Sequence, residues 1–177
     1  MTESTQLRVP VADLLKRVGA QRVVRVRAVP DEPLASPAAT VPAGAEVELD
    51  LVLERVPEGV VARGTVHAPW QAECSRCLGG AGGDVTVHVD ELFETKPTAG
   101  ETYPLAGEAV DLQPLVRDAI VLELPAAPLC RPDCAGLCPL CGGDRNETAC
   151  DCRIDDSDPR WAVLTEQLDL SPPRQEP

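Results

Sequence analysis

"AEVELDLVLERVPEGVVARGTVHAPW", residues 45–70, is the stretch on which the fold turns. In its first half Val47, Leu49, Leu51 and Leu53 fall on one face of an extended chain, and Glu46, Glu48, Asp50 and Glu54 fall on the other. A period of two with one apolar and one charged face predicts a half-buried antiparallel strand. "PEG" at 57–59 predicts a turn, and "VVARGTVHAPW" the return strand.

Toward the C-terminus, "DVTVHVDELF" repeats the alternation, with Val85, Val87 and Val89 opposite Thr86, His88 and Asp90. The linking "CSRCLGGAGG" then places Cys74 and Cys77 at a hairpin tip, where glycines permit a tight, irregular loop. Residues 95–110 read as loop. Asp111 is placed to cap a helix over 112–124, with Leu112, Leu115, Val116, Ala119 and Ile120 on one face. Pro114 is tolerated in its first turn, and Pro125 and Pro128 end it. A closing helix is expected from Asp158 through Leu168, followed by a disordered tail.

Toward the N-terminus, Val11, Leu14, Leu15 and Val18 suggest a helix stopped by Gly19. A strand follows with Val24, Val26 and Ala28 inward, and then a Pro/Ala-rich connector, residues 30–44. The expected organisation is residues 1–44 as helix, strand and connector, 45–129 as antiparallel sheet and helix, 130–168 as a cysteine-rich zinc-binding segment with the closing helix, and 169–177 as tail. The fold class is α+β: an antiparallel sheet of about four strands or partial barrel, two or three helices, and a C-terminal zinc lobe.

The chain has 177 residues and a net charge of −13, unevenly spread. Residues 1–28 carry six basic and two acidic groups; the remainder is strongly acidic. An acidic body repels phosphate backbones and attracts cationic partners, unless the charge merely solvates the surface. Only four residues are aromatic, so the core must be aliphatic. No basic segment leads into an apolar run, and no window has the ~18 apolar residues of a membrane span, so a cytoplasmic protein is expected.

In that compartment eight cysteines point to metal or redox chemistry before disulfides. The spacing is Cys74-x2-Cys77, then Cys130-x3-Cys134-x3-Cys138-x2-Cys141-x8-Cys150-x-Cys152. Zinc takes four ligands, and short spacings let one loop donate two thiolates. "CPLCGG" has the form of a zinc knuckle, and Gly142 and Gly143 supply backbone freedom. Two four-thiolate zinc sites account for all eight: Cys74, Cys77, Cys130 and Cys134 in one, and Cys138, Cys141, Cys150 and Cys152 in the other. A ribbon pairing the two CxxC units is the rival grouping. A redox pair at Cys74/Cys77 should open a helix after a strand, whereas here the motif joins two strands. An iron–sulfur cluster and disulfides are competing uses for the same thiols. His67 and His88 lie in predicted strands, with no nucleophile or carboxylate pair forming a catalytic motif around them. No phosphate-binding loop is present.

"CSRCL", "PLVRDAIVLELP", "PLCRPDCAGLCPLCGGDRNETACDC" and "DPRWAVL", in that order, resemble the YceD family of large ribosomal RNA subunit accumulation proteins. The resemblance covers roughly residues 45–168. It implies a cytoplasmic, non-enzymatic factor supporting accumulation or processing of large-subunit ribosomal RNA, encoded in many genomes beside a small zinc-binding ribosomal protein. It also favours the grouping above, since some members keep the first CxxC and ligands matching Cys130 and Cys134 but lack the later four. The chain departs from the family pattern around "GGDRNE", where an Asn often precedes the position of Asp144 or Arg145.

Joined to the acidic charge, this leads to the expectation of a holder for a basic ribosomal protein or large-subunit assembly intermediate. The basic residues 1–28 leave RNA contact open, and no membrane and no small-molecule substrate are expected. A thiol-redox enzyme using Cys74/Cys77 and a direct RNA-binding zinc module are the competing readings.

Overall fold

The computed structural model describes residues 7–153. Two compact units divide the chain, Met1–Cys134 and Ala135–Pro177. The first holds an eight-stranded sheet: β1 (Arg8–Pro10), β2 (Gln21–Ala28), β3 (Ala39–Thr40), β4 (Val47–Arg55), β5 (Gly59–Glu73), β6 (Gly80–Glu94), β7 (Tyr103–Ala106) and β8 (Ala109–Asp111). One α-helix, α1 (Gln113–Glu123), follows. The order across the sheet is β1-β8-β7-β6-β5-β4-β2, with β3 paired to β5, and the sheet curls into a half-barrel. All pairings are antiparallel except β6 with β7.

β4 carries the alternation expected of it, with Val47, Leu49, Leu51 and Leu53 at most 2% exposed. They join Val60, Ala62, Val66, Ala68, Phe93, Leu115, Val116 and Ile120 in one aliphatic core, and no polar or charged side chain is buried among the described residues. Phe93 is the core's aromatic residue, with Tyr103 stacked on it at 5.2 Å between ring centres. α1 packs Leu115, Val116 and Ile120 inward. Asp111 Oδ1 accepts the Gln113 N–H at 3.0 Å, which satisfies one free donor at the helix start.

The α+β expectation with two or three helices is corrected. The described chain is mainly strand, with one α-helix of 11 residues and twice the expected number of strands. The N-terminal stretch is not an α-helix. Leu7, Val9 and Val11 are buried in alternation along and on either side of β1, while only Leu14–Lys16 makes a 3-10 turn and Val18 is 57% exposed. The period of two over 7–11 competes with the helical spacing over 11–18, and pairing with β8 decides for the former.

The 30–44 connector is ordered. Leu34, Ala39 and Val41 are buried, and Val41 N–H donates to Leu34 O at 2.8 Å, which closes a small hairpin. Ser36 Oγ accepts from Ala39 N–H at 3.1 Å in that hairpin. Residues 95–110 contain β7 and the start of β8, joined through Gly107 at φ 64°. Strands of four and three residues are too short to show periodicity. The expected 158–168 helix and the tail lie outside the described residues.

Candidate metal centres

β5 and β6 pair along fifteen residues each and hold the turn between them at the far end of the ladder. Cys74 N–H donates to Gly79 O at 2.7 Å, and Leu78 N–H to Cys74 O at 2.9 Å. Arg76 N–H reaches Cys74 Sγ at 3.5 Å. The chain returns past this turn after α1. Ser75 N–H donates to Pro128 O at 2.8 Å, and Arg76 Nη1 to Cys134 O at 2.9 Å. These bonds fix the segment bearing Cys130 and Cys134 against the hairpin tip.

Four sulfurs therefore converge, those of Cys74, Cys77, Cys130 and Cys134, all within 4.8 Å of one another. Cys74 to Cys134 is 3.8 Å and Cys77 to Cys130 is 3.6 Å. Four thiolates about 2.3 Å from a central zinc stand roughly 3.8 Å apart. A disulfide needs about 2.05 Å. The spacing is that of a tetrahedral metal site, and the residues fit the ion.

The second unit repeats the device. Cys138 N–H donates to Gly143 O at 2.8 Å and Gly142 N–H to Cys138 O at 2.8 Å, matching the first turn position for position. The fifth residue of each turn has positive φ, 61° at Leu78 and 72° at Gly142. Gly79 and Gly143 follow, and a Cβ at either would stand 3.4–3.5 Å from a ligand sulfur. Cys138, Cys141, Cys150 and Cys152 place their sulfurs within 4.8 Å of one another. The structure thus brings together Cys74, Cys77, Cys130 and Cys134 in the first unit and Cys138, Cys141, Cys150 and Cys152 in the second.

The residues between Cys141 and Cys150 carry a feature that sequence reasoning missed. Asn146 N–H and Nδ2 donate to Asp144 Oδ1 at 2.8 and 2.6 Å, and Asn146 Oδ1 accepts from Ala135 N–H at 2.8 Å. Glu147 and Thr148 N–H close the turn on Asp144 O. Asp-x-Asn is turn chemistry that could have been read from the sequence.

The amides of each turn set the sulfur chemistry. Backbone N–H groups of Cys130, Cys77 and Arg76 bring Cys74 down to about 6. Those of Cys141 and Leu140 bring Cys138 down to about 6. Each turn thus offers one thiolate at neutral pH. Withdrawal of its sulfur from water, with hydrogen bonds from neighbouring cysteines, pushes Cys130 up to about 12. Hydrogen bonds with Cys141 and Cys138, then loss of hydration, push Cys152 up to about 12.

The two tetrads differ in exposure. Cys74 and Cys134 are buried in the first, but only Cys138 in the second. Neither histidine joins a tetrad: His67 Nδ1 meets Thr86 Oγ1 at 3.0 Å across the β5–β6 pair, and His88 lies on β6.

The profile described as large ribosomal RNA subunit accumulation protein YceD matches residues 62–167, which span both tetrads. The chain belongs to the YceD family. It is similar to an uncharacterized protein of Mycobacterium tuberculosis, 43% identical over 139 residues, which are 71% of this chain and 63% of the relative. An uncharacterized protein of Mycobacterium leprae is 40% identical over 139 residues, 71% of this chain and 60% of the relative. A maize protein described as large ribosomal RNA subunit accumulation protein YCED homolog 1, chloroplastic, is 38% identical over 52 residues, 29% of this chain and 18% of its own. The YceD chain thus spans about three-fifths of the length of its mycobacterial relatives. No solved structure matches it. No helix among the described residues is long and apolar enough to cross a membrane.

Proposed function

We propose that this YceD protein is a non-enzymatic cytoplasmic factor that supports accumulation of large-subunit ribosomal RNA, with two structural zinc ions, and that it acts by holding a basic ribosomal protein or assembly intermediate. Family membership supports the ribosomal role. The observation that carries the non-enzymatic, structural-metal part of the reading is the pair of four-sulfur clusters, and the acidic net charge of −13 supports the holding part. A tetrahedral ion held by four thiolates has no position left for a reacting water or substrate, and such sites stabilise folds. When bound, the metal would be gripped by Cys74, Cys77, Cys130 and Cys134 in one unit and by Cys138, Cys141, Cys150 and Cys152 in the other. In the first unit it would join the hairpin tip to the segment that returns after α1.

Cys74 has the low pKa of a redox thiol, but it is fully buried and three other sulfurs surround it. Direct RNA binding through residues 1–28 is disfavoured by ion pairing. Arg22 meets Asp13 at 3.2 Å, Arg25 meets Asp50 at 3.1 Å, and Arg27 meets Glu48 at 3.1 Å. These guanidinium groups already face carboxylates of their own chain.

Native mass spectrometry with a thiol titration tests the metal reading: two zinc ions and no reactive thiol are expected. Pull-down at low and high salt tests the holding reading. Salt-sensitive retention of basic ribosomal proteins is expected. Tight binding of naked ribosomal RNA with no ribosomal protein retained would refute it.

A further inference from the structure

The outer face of the sheet and the face beside α1 treat their carboxylates differently. On the sheet, Asp50, Glu48, Glu54 and Asp90 each meet an arginine, from Arg25, Arg27 or Arg63, at 2.9–3.4 Å. Beside α1 two adjoining hollows of about 540 and 220 Å³ share Glu91, Tyr103, Asp118 and Leu122, and so make one groove between the helix and β6. Its walls carry Glu91, Glu101, Asp118 and Glu123. Among the described residues, no lysine or arginine forms an ion pair with any of the four. The groove's arginine, Arg117, turns to Glu32 at 3.5 Å.

The carboxylates also crowd one another. Partial burial, then the charges of Asp90 and Asp118, hold the Glu91 carboxyl above the ordinary range. Tyr103 donates its hydroxyl to Asp118 Oδ2 at 3.0 Å, and its ring rests on Phe93. Val87, Val121 and Leu122, the last 85% exposed, give the lining its apolar strip, and His88 and Thr102 add polar groups beside it. An apolar strip walled by unmatched negative charge is complementary to a polypeptide whose lysines or arginines flank apolar side chains, and it repels a phosphate backbone.

We propose that the groove between α1 and β6, lined by Glu91, Glu101, Asp118, Glu123 and Leu122, is the docking surface for a cationic, amphipathic protein segment. This deepens the holding function proposed above and rests on it. Leu122 and Tyr103 supply the apolar contact, and the carboxylates set orientation and encounter rate.

The test uses the full zinc-loaded chain and a fluorescent peptide of about sixteen residues alternating Lys-Leu and Arg-Leu pairs, with a Glu-Leu peptide as control. Basic ribosomal proteins are the second probe. The double variant Glu101→Lys/Glu123→Lys, at exposed positions, should weaken binding of the basic peptide about tenfold at 50 mM salt. The difference should shrink at 500 mM as charges are screened. Leu122→Ser should weaken it at both salts, while Glu58→Lys in the β4–β5 turn should not. Thermal midpoints confirm that each variant is folded. Two results overturn the groove and leave the holding reading standing: basic partners that bind wild type and groove variants equally, or groove variants that change only self-association. If no basic peptide or ribosomal protein binds the wild type at all, both fail.

Discussion

Leu78 adopts a backbone conformation that glycine enters freely and a branched side chain does not, at φ 61° and with the side chain 63% exposed. The strain costs roughly 1–2 kcal/mol. Gly142 holds the same place in the second turn without that cost. Leu78→Gly should therefore stabilise the first turn by about 1 kcal/mol, seen as a higher thermal midpoint of the zinc-loaded protein. Asn146 makes the opposite case. Asn146→Ala removes its bonds to Asp144 and Ala135, which fix the loop leading to Cys150. By analogy with partners that orient metal ligands, about 10- to 100-fold of zinc affinity should be lost at the second tetrad alone. Competition with a chelating dye reads this, and an unchanged affinity would count against the role. The sulfurs also set a pH dependence. Cys130 and Cys152, up at about 12, keep their protons at neutral pH, whereas Cys74 and Cys138, down at about 6, have lost theirs. Metal entry expels the held protons, so affinity rises with pH. Below about pH 6 it falls more steeply, because Cys74 and Cys138 must then also deprotonate. Calorimetry in buffers of different ionisation enthalpy should show proton release from both tetrads at about pH 7.

Among the elements, Gly64 decides whether β4 and β5 can pair. Its φ is 150°, and a Cβ there would stand 2.0 Å from Asp50 O, in the backbone of the facing strand. Gly64→Ala must push the strands apart and should cost about 3 kcal/mol, measured by urea unfolding. Glu91 on β6 tests the crowding beside α1. Its folded pKa is raised, so the ionised group disfavours the folded state above that pKa and the penalty vanishes below the unfolded value. Glu91→Gln should therefore raise the thermal midpoint at neutral pH and give no gain in acid. An equal gain at both pH values would assign the effect to packing. The same elements show what was legible. β2, β4, β5, β6 and α1 run eight to fifteen residues, long enough for their apolar period to appear in the sequence. β1, β3, β7 and β8 run two to four, and pairing partners far along the chain create β1 and β3.

Over the molecule at large, the aliphatic core and the sulfur clusters are separate sources of order. The core runs from Leu7 to Leu124 without a cysteine in it. Removing metal should therefore leave the β4–β6 ladder intact, and should free the Pro128–Cys134 segment from the hairpin tip. Hydrogen exchange after chelation is expected to speed up at Ser75, whose amide closes that contact, and at Leu78, whose amide closes the turn on Cys74 O, with Leu51 and Val66 still protected. Global unfolding on chelation would show that the core cannot stand alone. The net charge of −13 acts at this scale too, favouring cationic partners at low salt.

Local spacing alone accounts for the long amphipathic strands, α1, the hairpin-borne CxxC and the presence of cysteine ligands, because each is a pattern among near neighbours in the chain. Contacts between distant residues settled the rest. They ordered residues 30–44 by burying Leu34 and Val41, made a strand of part of the stretch read as a helix, and spent Arg25 and Arg27 on Asp50 and Glu48. They also brought Cys130 and Cys134 to Cys74 and Cys77 across more than fifty residues. Spacing can nominate a ligand, but only the closing of the β5–β6 ladder and the return after α1 place four sulfurs at tetrahedral distance.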